Sequence, residues 1–406
     1  MTPHDQALLR ELARRVAEIA ALPAMERRRA EWRRHNRLLP GRPMILIFPE
    51  GAWAELLPER DLACGEPEAR RIEFELRHRI YTFEHFRADN VVEEEWTVHS
   101  AIHSTGWGLE PRHHDSPAPR GAWAFDPVIR EPADLRKLRF PEVRHDEAET
   151  ERRHEAAEAL FGDILRVRVK GVAHVSFHLM GLYTELRGLE QTMTDMCENP
   201  AWLHEAMELL TEGHLRLVRQ FEEQNLLSLN NDNTYHSSGG NGFTDELPAP
   251  GFDPGRVRPR DMWASAESQE LAQVSPRMHA EFATCYEKRL LAPFGLNGYG
   301  CCENLTRKLE DVLTIPNLRR VSVAPTASVP ECAARIGRRC ILSWKPDPTF
   351  VIGRFDACRL RAYLHEAIEA AEGCPLEMIL KDTHTCEHRP ERFDAWSSIA
   401  EDIVAA

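Results

Sequence analysis

From residue 166 to residue 404, short apolar runs alternate with helix-like segments in a steady order. This alternation constrains the fold more than any other feature. The runs cover residues 166–172, 226–231, 294–301, 318–324, 340–344 and 376–382. Helical patterning fills about 182–224, 266–291, 303–314, 328–337, 356–372 and 390–404. Strands alternating with helices pair in parallel, and strands buried on both faces are apolar throughout. Two further runs, at 43–48 and 91–96, flank a helical stretch at 67–87 and bring the strand count to eight. The pattern predicts an α/β fold, a closed (β/α)8 TIM barrel over residues 41–406. An N-terminal helical extension over residues 1–40 precedes it, because Leu8, Leu9, Leu12, Val16 and Ile19 recur at helical spacing.

Composition narrows the function. Hydrophobic residues make up 42% and charged residues 29%, the balance of a soluble globular chain. A formal net charge of −14 argues against nucleic-acid binding, whose footprint is basic. No apolar run is long enough to span a membrane, and the first residues lack the pattern of a signal peptide. Ten cysteines in 406 residues are too sparse for a disulfide scaffold, which points to a reducing cytoplasm. The arginine cluster from Arg27 to Arg37 reads as a solvated helix face or a contact between copies of the chain.

Chemistry concentrates at the ends of the late strands, where a barrel of this type carries its active site. Tyr299, Cys301, Cys302 and Glu303 end one run, and Lys381, Asp382, His384 and Cys386 end the last. Alternation along a strand places Tyr299 and Cys301 on one face, with Glu303 just beyond at a helix start. Thiols and an imidazole suit a borderline metal such as zinc, with Cys301 as the main ligand and His384 or Cys386 beside it. Without a metal, the same thiols are buried small residues and the histidine is a hydrogen-bonded structural group. Other strand ends supply candidates for substrate binding: His178, Asn231, Asp232, Trp263, Glu267, Trp344 and Lys345. The Gly- and Pro-rich stretch at 236–262 is long for a connection, and Gly239, Gly240 and Gly242 suit a hinge, so it is expected to close as a lid. No dinucleotide fingerprint, phosphate loop or nucleophile elbow occurs.

The run Arg42-Pro43-Met44-Ile45-Leu46-Ile47-Phe48-Pro49-Glu50-Gly51-Ala52-Trp53 resembles a signature of the uroporphyrinogen decarboxylase superfamily, which also holds the cobalamin-dependent methyltransferases. In the decarboxylases an Arg-Gln-Ala-Gly-Arg run follows a similar strand and binds propionate carboxylates. Its two arginines are missing here. Tyr299-Gly300-Cys301 resembles the His-x-Cys zinc motif of the methyltransferase branch, with Tyr for His. Thr383-His384-Thr385 stands where that branch has its last-strand cysteine and the decarboxylases have Gly-His-Gly. Gly300-Cys301-Cys302-Glu303, followed by Ile315-Pro316-Asn317-Leu318-Arg319, is similar to a decarboxylase-like branch. The similarity spans about residues 40–404. Asp382-Thr383-His384 opens like a cobalamin-binding motif, but Glu387 replaces its glycine, so any cobalamin is expected on a separate partner.

What the resemblance implies is a corrinoid-linked, zinc-dependent methyltransferase or demethylase acting on a small substrate, with Tyr299 or Glu303 moving protons. Its partners are then that substrate, a corrinoid protein and possible further copies of the chain. Two other readings stand beside it. One is a metal-free decarboxylase or lyase on a small carboxylate, served by Lys381, Asp382 and His384. The other is a non-catalytic subunit of a corrinoid complex.

Overall fold

The computed structural model describes residues 1–114, 124–236 and 239–405. Its strands are β1 (Met44–Ile47), β2 (Glu95–His99), β3 (Ala101–Ser104), β4 (Arg112–His114), β5 (Ala124–Asp126), β6 (Val143–Asp146) and β7 (Arg166–Lys170). They continue with β8 (Ser176–Phe177), β9 (Trp263–Ala266), β10 (Leu296–Tyr299), β11 (Leu318–Val323), β12 (Ile341–Trp344) and β13 (Leu376–Leu380). Seven of them form one parallel sheet in the order β1-β13-β12-β11-β10-β9-β8. β2 and β7 pair in parallel apart from it, and β3–β6 and β4–β5 are antiparallel pairs. Residues 110–160 read in sequence as a Pro-rich loop followed by a charged helix, and part of that loop, 115–123, lies outside the described residues.

The expected eight-stranded closure is therefore not made by one continuous ladder. Among the described residues, no ladder joins β1 to β2 or β7 to β8. Two local causes are visible. The run at 226–231 does not form a strand: it contributes one bridge, Val172 to Leu227. The side chain of Asn230 takes the place of the missing ladder. Its Nδ2 donates to the carbonyls of Ala173 (2.7 Å) and Trp263 (3.0 Å), and its Oδ1 accepts from the Trp263 N–H (2.9 Å). At the other gap, the acid-rich run 91–96 begins its strand only at Glu95. Asp89 caps the edge of β1 instead, exchanging bonds of 2.8 Å with both the N–H and the carbonyl of Ile45.

Alternation along the seven strands sorts two layers. Ile45, Ile47, Leu342, Trp344, Met378 and Leu380 face outward into the core shared with the helices. Glu377, Ile379 and Lys381 face the other way, as do Arg320, Ser322, Ser343 and Lys345. The lower half of this inner face is plugged from the N-terminal side. Thr2 caps the helix Pro3–Ala20 in a reciprocal bond pair with Asp5, and Pro23 starts the next helix, Pro23–Asn36. That second helix inserts Trp32, His35 and Asn36 beneath the sheet. Arg320 pairs with Glu377 at 3.2 Å and with the Asn36 Oδ1 at 2.8 Å, while His35 Nε2 lies 3.2 Å from Glu377. The guanidinium also lies 5.0 Å from the centre of the Trp263 ring.

Glu377 is fully buried. Burial resists its ionisation, but Arg320 and His35 overcome that and hold its carboxyl down at about 2. Removing one partner of such a pair leaves a bare charge inside the protein. Arg320→Met is expected to cost about 3–5 kcal/mol in urea unfolding, and the double variant with Glu377→Met to recover most of it. The stability carried by Glu377 ionisation is present above its ordinary value of 4.5 and fades as pH falls towards 2.

Candidate functional site

The C-terminal ends of the strands build a polar rim around one thiol. β10 ends at Tyr299, and Gly300 follows at φ +95°, a conformation that favours glycine. A Cβ at Gly300 would stand 2.7 Å from Leu305 and 3.1 Å from Ser322. This turn breaks the strand alternation. Tyr299 and Cys301 therefore do not share a face, contrary to the sequence expectation. Tyr299 points outward, where its hydroxyl donates to Glu287 at 2.7 Å and meets His279 Nε2 at 3.2 Å. It is buried in the helix layer and is no part of the rim.

Cys301 turns inward. Its N–H donates to Glu303 Oε2 (2.8 Å), and its carbonyl accepts from Ser322 Oγ (2.7 Å). Lys345 Nζ hydrogen-bonds the same Ser322 hydroxyl. The sulfurs of Cys301 and Cys302 lie 3.5 Å apart, and Cys302 Sγ is 3.9 Å from Asp382 Oδ2. Opposite stands His178, hydrogen-bonded through Nδ1 to Glu267. The second Glu267 oxygen accepts from the Gln269 N–H at 2.9 Å. Lys381 lies 3.4 Å from Glu50 and 3.8 Å from Asp382. Asp382 adopts φ +58°, and its N–H donates to Glu50 at 2.9 Å.

The electrostatics follow from crowding several acids under a lid of protein. Burial, then the Glu267 charge, pushes the Glu303 carboxyl up to about 7. The same two causes raise Glu270 to about 7. Burial lowers the Lys345 ammonium to about 8, although the Cys301 charge favours its protonation. The hydrogen bond to Glu267 raises the His178 imidazole above its ordinary range, against the effect of burial. The Cys302 thiol is held protonated, first by Cys301 and then by burial. Charge at Cys301 is felt by His178, Tyr235, Glu270, Glu303, Lys345 and Lys381. Groups from several strand ends are thus electrostatically coupled to this thiol.

Several expected site residues lie elsewhere. Trp263 opens β9 at the opposite end of the sheet, fully buried against His236 and Arg320, with its indole N–H donating to the Gly242 carbonyl. Trp344 faces the helix layer and packs on Tyr363. Cys386 is buried in the core, its thiol and N–H both bonded to Glu55 (3.2 and 3.0 Å). Asn231 anchors a loop through the Leu247 carbonyl (2.7 Å), and Asp232 pairs with Lys170 (2.7 Å) in a neighbouring cavity. His384 is exposed and packs against Gly51, where a Cβ would lie 3.2 Å from the histidine Cα.

The expected lid is not at the mouth. Ser237 and Ser238 of that stretch lie outside the described residues. Gly239 and Gly240 sit on the lower plug, where added Cβ atoms would meet Arg320 at 2.1 Å and Glu377 at 2.5 Å. Asn36 donates to the carbonyls of Asn241 (3.1 Å) and Phe243 (2.7 Å). These glycines serve close packing, not a hinge over substrate.

The expected zinc ligands Cys301, His384 and Cys386 do not form a set, because the Cys386 thiol is held in the core by Glu55 and His384 packs against Gly51. Among the described residues, no group of three or more His, Cys, Asp and Glu side chains is arranged to hold a metal ion. Glu50, Ser322, Tyr235 and Glu270 join the rim without having been singled out as site residues. Only their places beside strand ends hinted at them.

The chain matches no protein-family model and no curated protein sequence. Its fold is similar to that of a solved methyltransferase from Methanosarcina mazei, with a TM-score of 0.53 and 12% identity. The likeness covers 93% of this chain and 99% of that one. At that identity it speaks for the fold: an α/β architecture around a parallel sheet. No helix among the described residues is long and apolar enough to cross a membrane.

Outward and rim positions should separate in experiment. Tyr299→Phe strands the buried Glu287 and His279, so it should lower stability by roughly 1–3 kcal/mol while leaving turnover intact. Thermal melting and steady-state kinetics on the same preparation check both halves.

Proposed function

We propose that the chain is an enzyme of methyltransferase type, moving a methyl group between a small polar substrate and either a thiol or a corrinoid protein. The observation that carries this reading is the setting of Cys301 at the rim: its sulfur lies 3.5 Å from that of Cys302, and Glu303, Ser322 and, through Ser322, Lys345 are bonded around its backbone. A soft sulfur beside lysines and a carboxyl poised near neutrality is a centre for thiolate chemistry. The fold likeness to the Methanosarcina mazei methyltransferase supports it.

In this reading each rim group has a task. Glu303, poised near neutrality, takes the proton that leaves the accepting sulfur. Lys345 and Lys381 stabilise the thiolate and hold an anionic group of the substrate. The His178–Glu267 pair forms the opposite wall and keeps a positive imidazole facing the cavity. As the methyl group bonds to sulfur, the donor leaves with its bonding electrons. No step runs through a metal, since the donors do not converge. Protein purified without chelator is expected to carry no stoichiometric zinc.

A decarboxylase or lyase acting on a small carboxylate is the second reading. It is favoured by the two lysines, Lys345 and Lys381, standing together at the rim. Methylcobalamin offered with a panel of small thiols distinguishes the two. Protein-dependent thioether formation, lost in Cys301→Ser, supports methyl transfer. Carbon dioxide release from labelled small carboxylates, with no thioether formed, overturns it.

The pH profile gives a second check. The reaction needs Glu303 ionised and Lys345 protonated. The plot of kcat/KM should therefore rise as pH passes about 7 and fall as it passes about 8. Glu303→Gln should remove the acidic limb and lower the maximum by roughly 10²-fold.

A further inference from the structure

The gap between β1 and β2 is a cavity rather than a packed seam. Its volume is about 290 Å³, near the lower end of small-molecule sites, which run roughly 300–1,000 Å³. β1 presents Leu46 and Ile47 to it, and β2 presents Glu95 and Thr97. The Asp89–Ile45 exchange closes one end. At the other end stands Tyr235, whose ring packs on Phe48 at 4.7 Å.

Two independent features of this cavity point to a ligand. First, its polar atoms lack partners. Thr82 Oγ1, Asn90 Oδ1, the Tyr235 hydroxyl and both amide atoms of Asn241 are buried with no hydrogen-bond partner among the described residues. Thr82 is only 8% exposed and Asn241 only 3%, so bulk water does not serve them. Buried polar groups are nearly always paired, and a cluster of five unpaired atoms around one void is therefore unusual. Second, one carboxylate of the cavity, Glu93, has no cation within hydrogen-bond distance, whereas Glu95 also meets Arg166 and Arg168 at 3.2 Å. Four carboxylates, on Glu75, Glu93, Glu95 and Asp232, line the cavity with two cations, Arg79 and Lys170. Arg79 pairs with Glu75 at 2.9 Å, and Lys170 is shared between Glu95 (3.0 Å) and Asp232 (2.7 Å). Glu93 is left with Arg29 at 3.9 Å, beyond hydrogen-bond reach.

We propose that the seam between β1 and β2 binds a small hydroxylated primary ammonium compound, an amino alcohol in chemical class. The ammonium pairs with Glu93, and the hydroxyl bonds among Thr82, Asn90 and Asn241. The Glu93 carboxylate, with Arg29 beyond hydrogen-bond distance, selects the charge, and the mixed donors and acceptors select the hydroxyl. Burial, then Asp232 and Glu95, raises the Glu93 carboxyl, a burden that an incoming cation relieves. Burial also lowers the His78 imidazole, so that ring adds no competing charge near neutrality. The cavity borders the thiol rim through Tyr235, and the proposal does not rest on the reaction proposed there.

Ethanolamine is the probe, titrated against the full chain by saturation-transfer NMR, with acetate and ethylene glycol as controls. The expected result is saturable binding of ethanolamine, much weaker binding of ethylene glycol and none of acetate. Glu93→Gln should weaken ethanolamine by roughly tenfold or more, as loss of a charged hydrogen bond does. Thr82→Val keeps the side-chain shape and removes a hydroxyl with no protein partner, so the variant folds while ethanolamine weakens roughly three- to tenfold. Absence of saturable binding, acetate binding as tightly as ethanolamine, or unchanged affinity in folded Glu93→Gln and Thr82→Val overturns the proposal.

Discussion

Everything inside the sheet is arranged around the buried contact between Arg320 on β11 and Glu377 on β13. A parallel sheet flanked by helices usually fills its inner side with apolar residues. Here a full charge pair occupies the lower half, and a charge pair in a dry interior needs further polar partners around it. That requirement brings in the N-terminal helix through His35 and Asn36, the Asn241 carbonyl from the long loop, and the Trp263 face. It also sets the glycines of that loop, which must let backbone approach the pair. The extension at the N-terminus thus contributes to the interior of the sheet.

With the lower half sealed, polarity in the upper half is free to serve chemistry. The rim draws its character from a shortage of cations relative to acids under partial burial. Glu267 is hydrogen-bonded to His178, and its charge raises Glu303 and Glu270. Lys345, buried beside Ser322, is lowered toward the same range. Acid and base functions are brought together near neutrality by the same cause, the removal of water from groups of both signs. Cys301 lies at their common centre because Gly300 turns the chain back after β10.

Much of this could be read from residues. The strands β1, β10, β11, β12 and β13 were legible because they are short apolar runs bounded by turns, and their order implied a parallel α/β sheet. β8 and β9 were not. β8 has two residues, and β9 reads Trp-Ala-Ser-Ala, whose small side chains give no strand signal. Residues 226–231 carried such a signal and yet made only one bridge, because the Asn230 amide satisfied both neighbouring backbones. Among site residues, the positions of Lys345, Lys381, Asp382 and Glu303 at strand ends were apparent in advance. The outward turn of Tyr299 was not, since strand alternation holds only while the chain stays extended.

The sequence by itself determined the alternation of strand and helix and the polar character of the strand ends. Those follow from local periodicity, which a linear chain carries in full. The tertiary structure decided which polar groups meet, where the sheet stays open between β1 and β2, and that Cys386 belongs to the core. Such outcomes depend on residues far apart in sequence, as when Glu55 claims the Cys386 thiol or Asp89 caps the edge of β1. A hydrogen bond across hundreds of residues leaves no periodic trace, so only the folded chain reveals it.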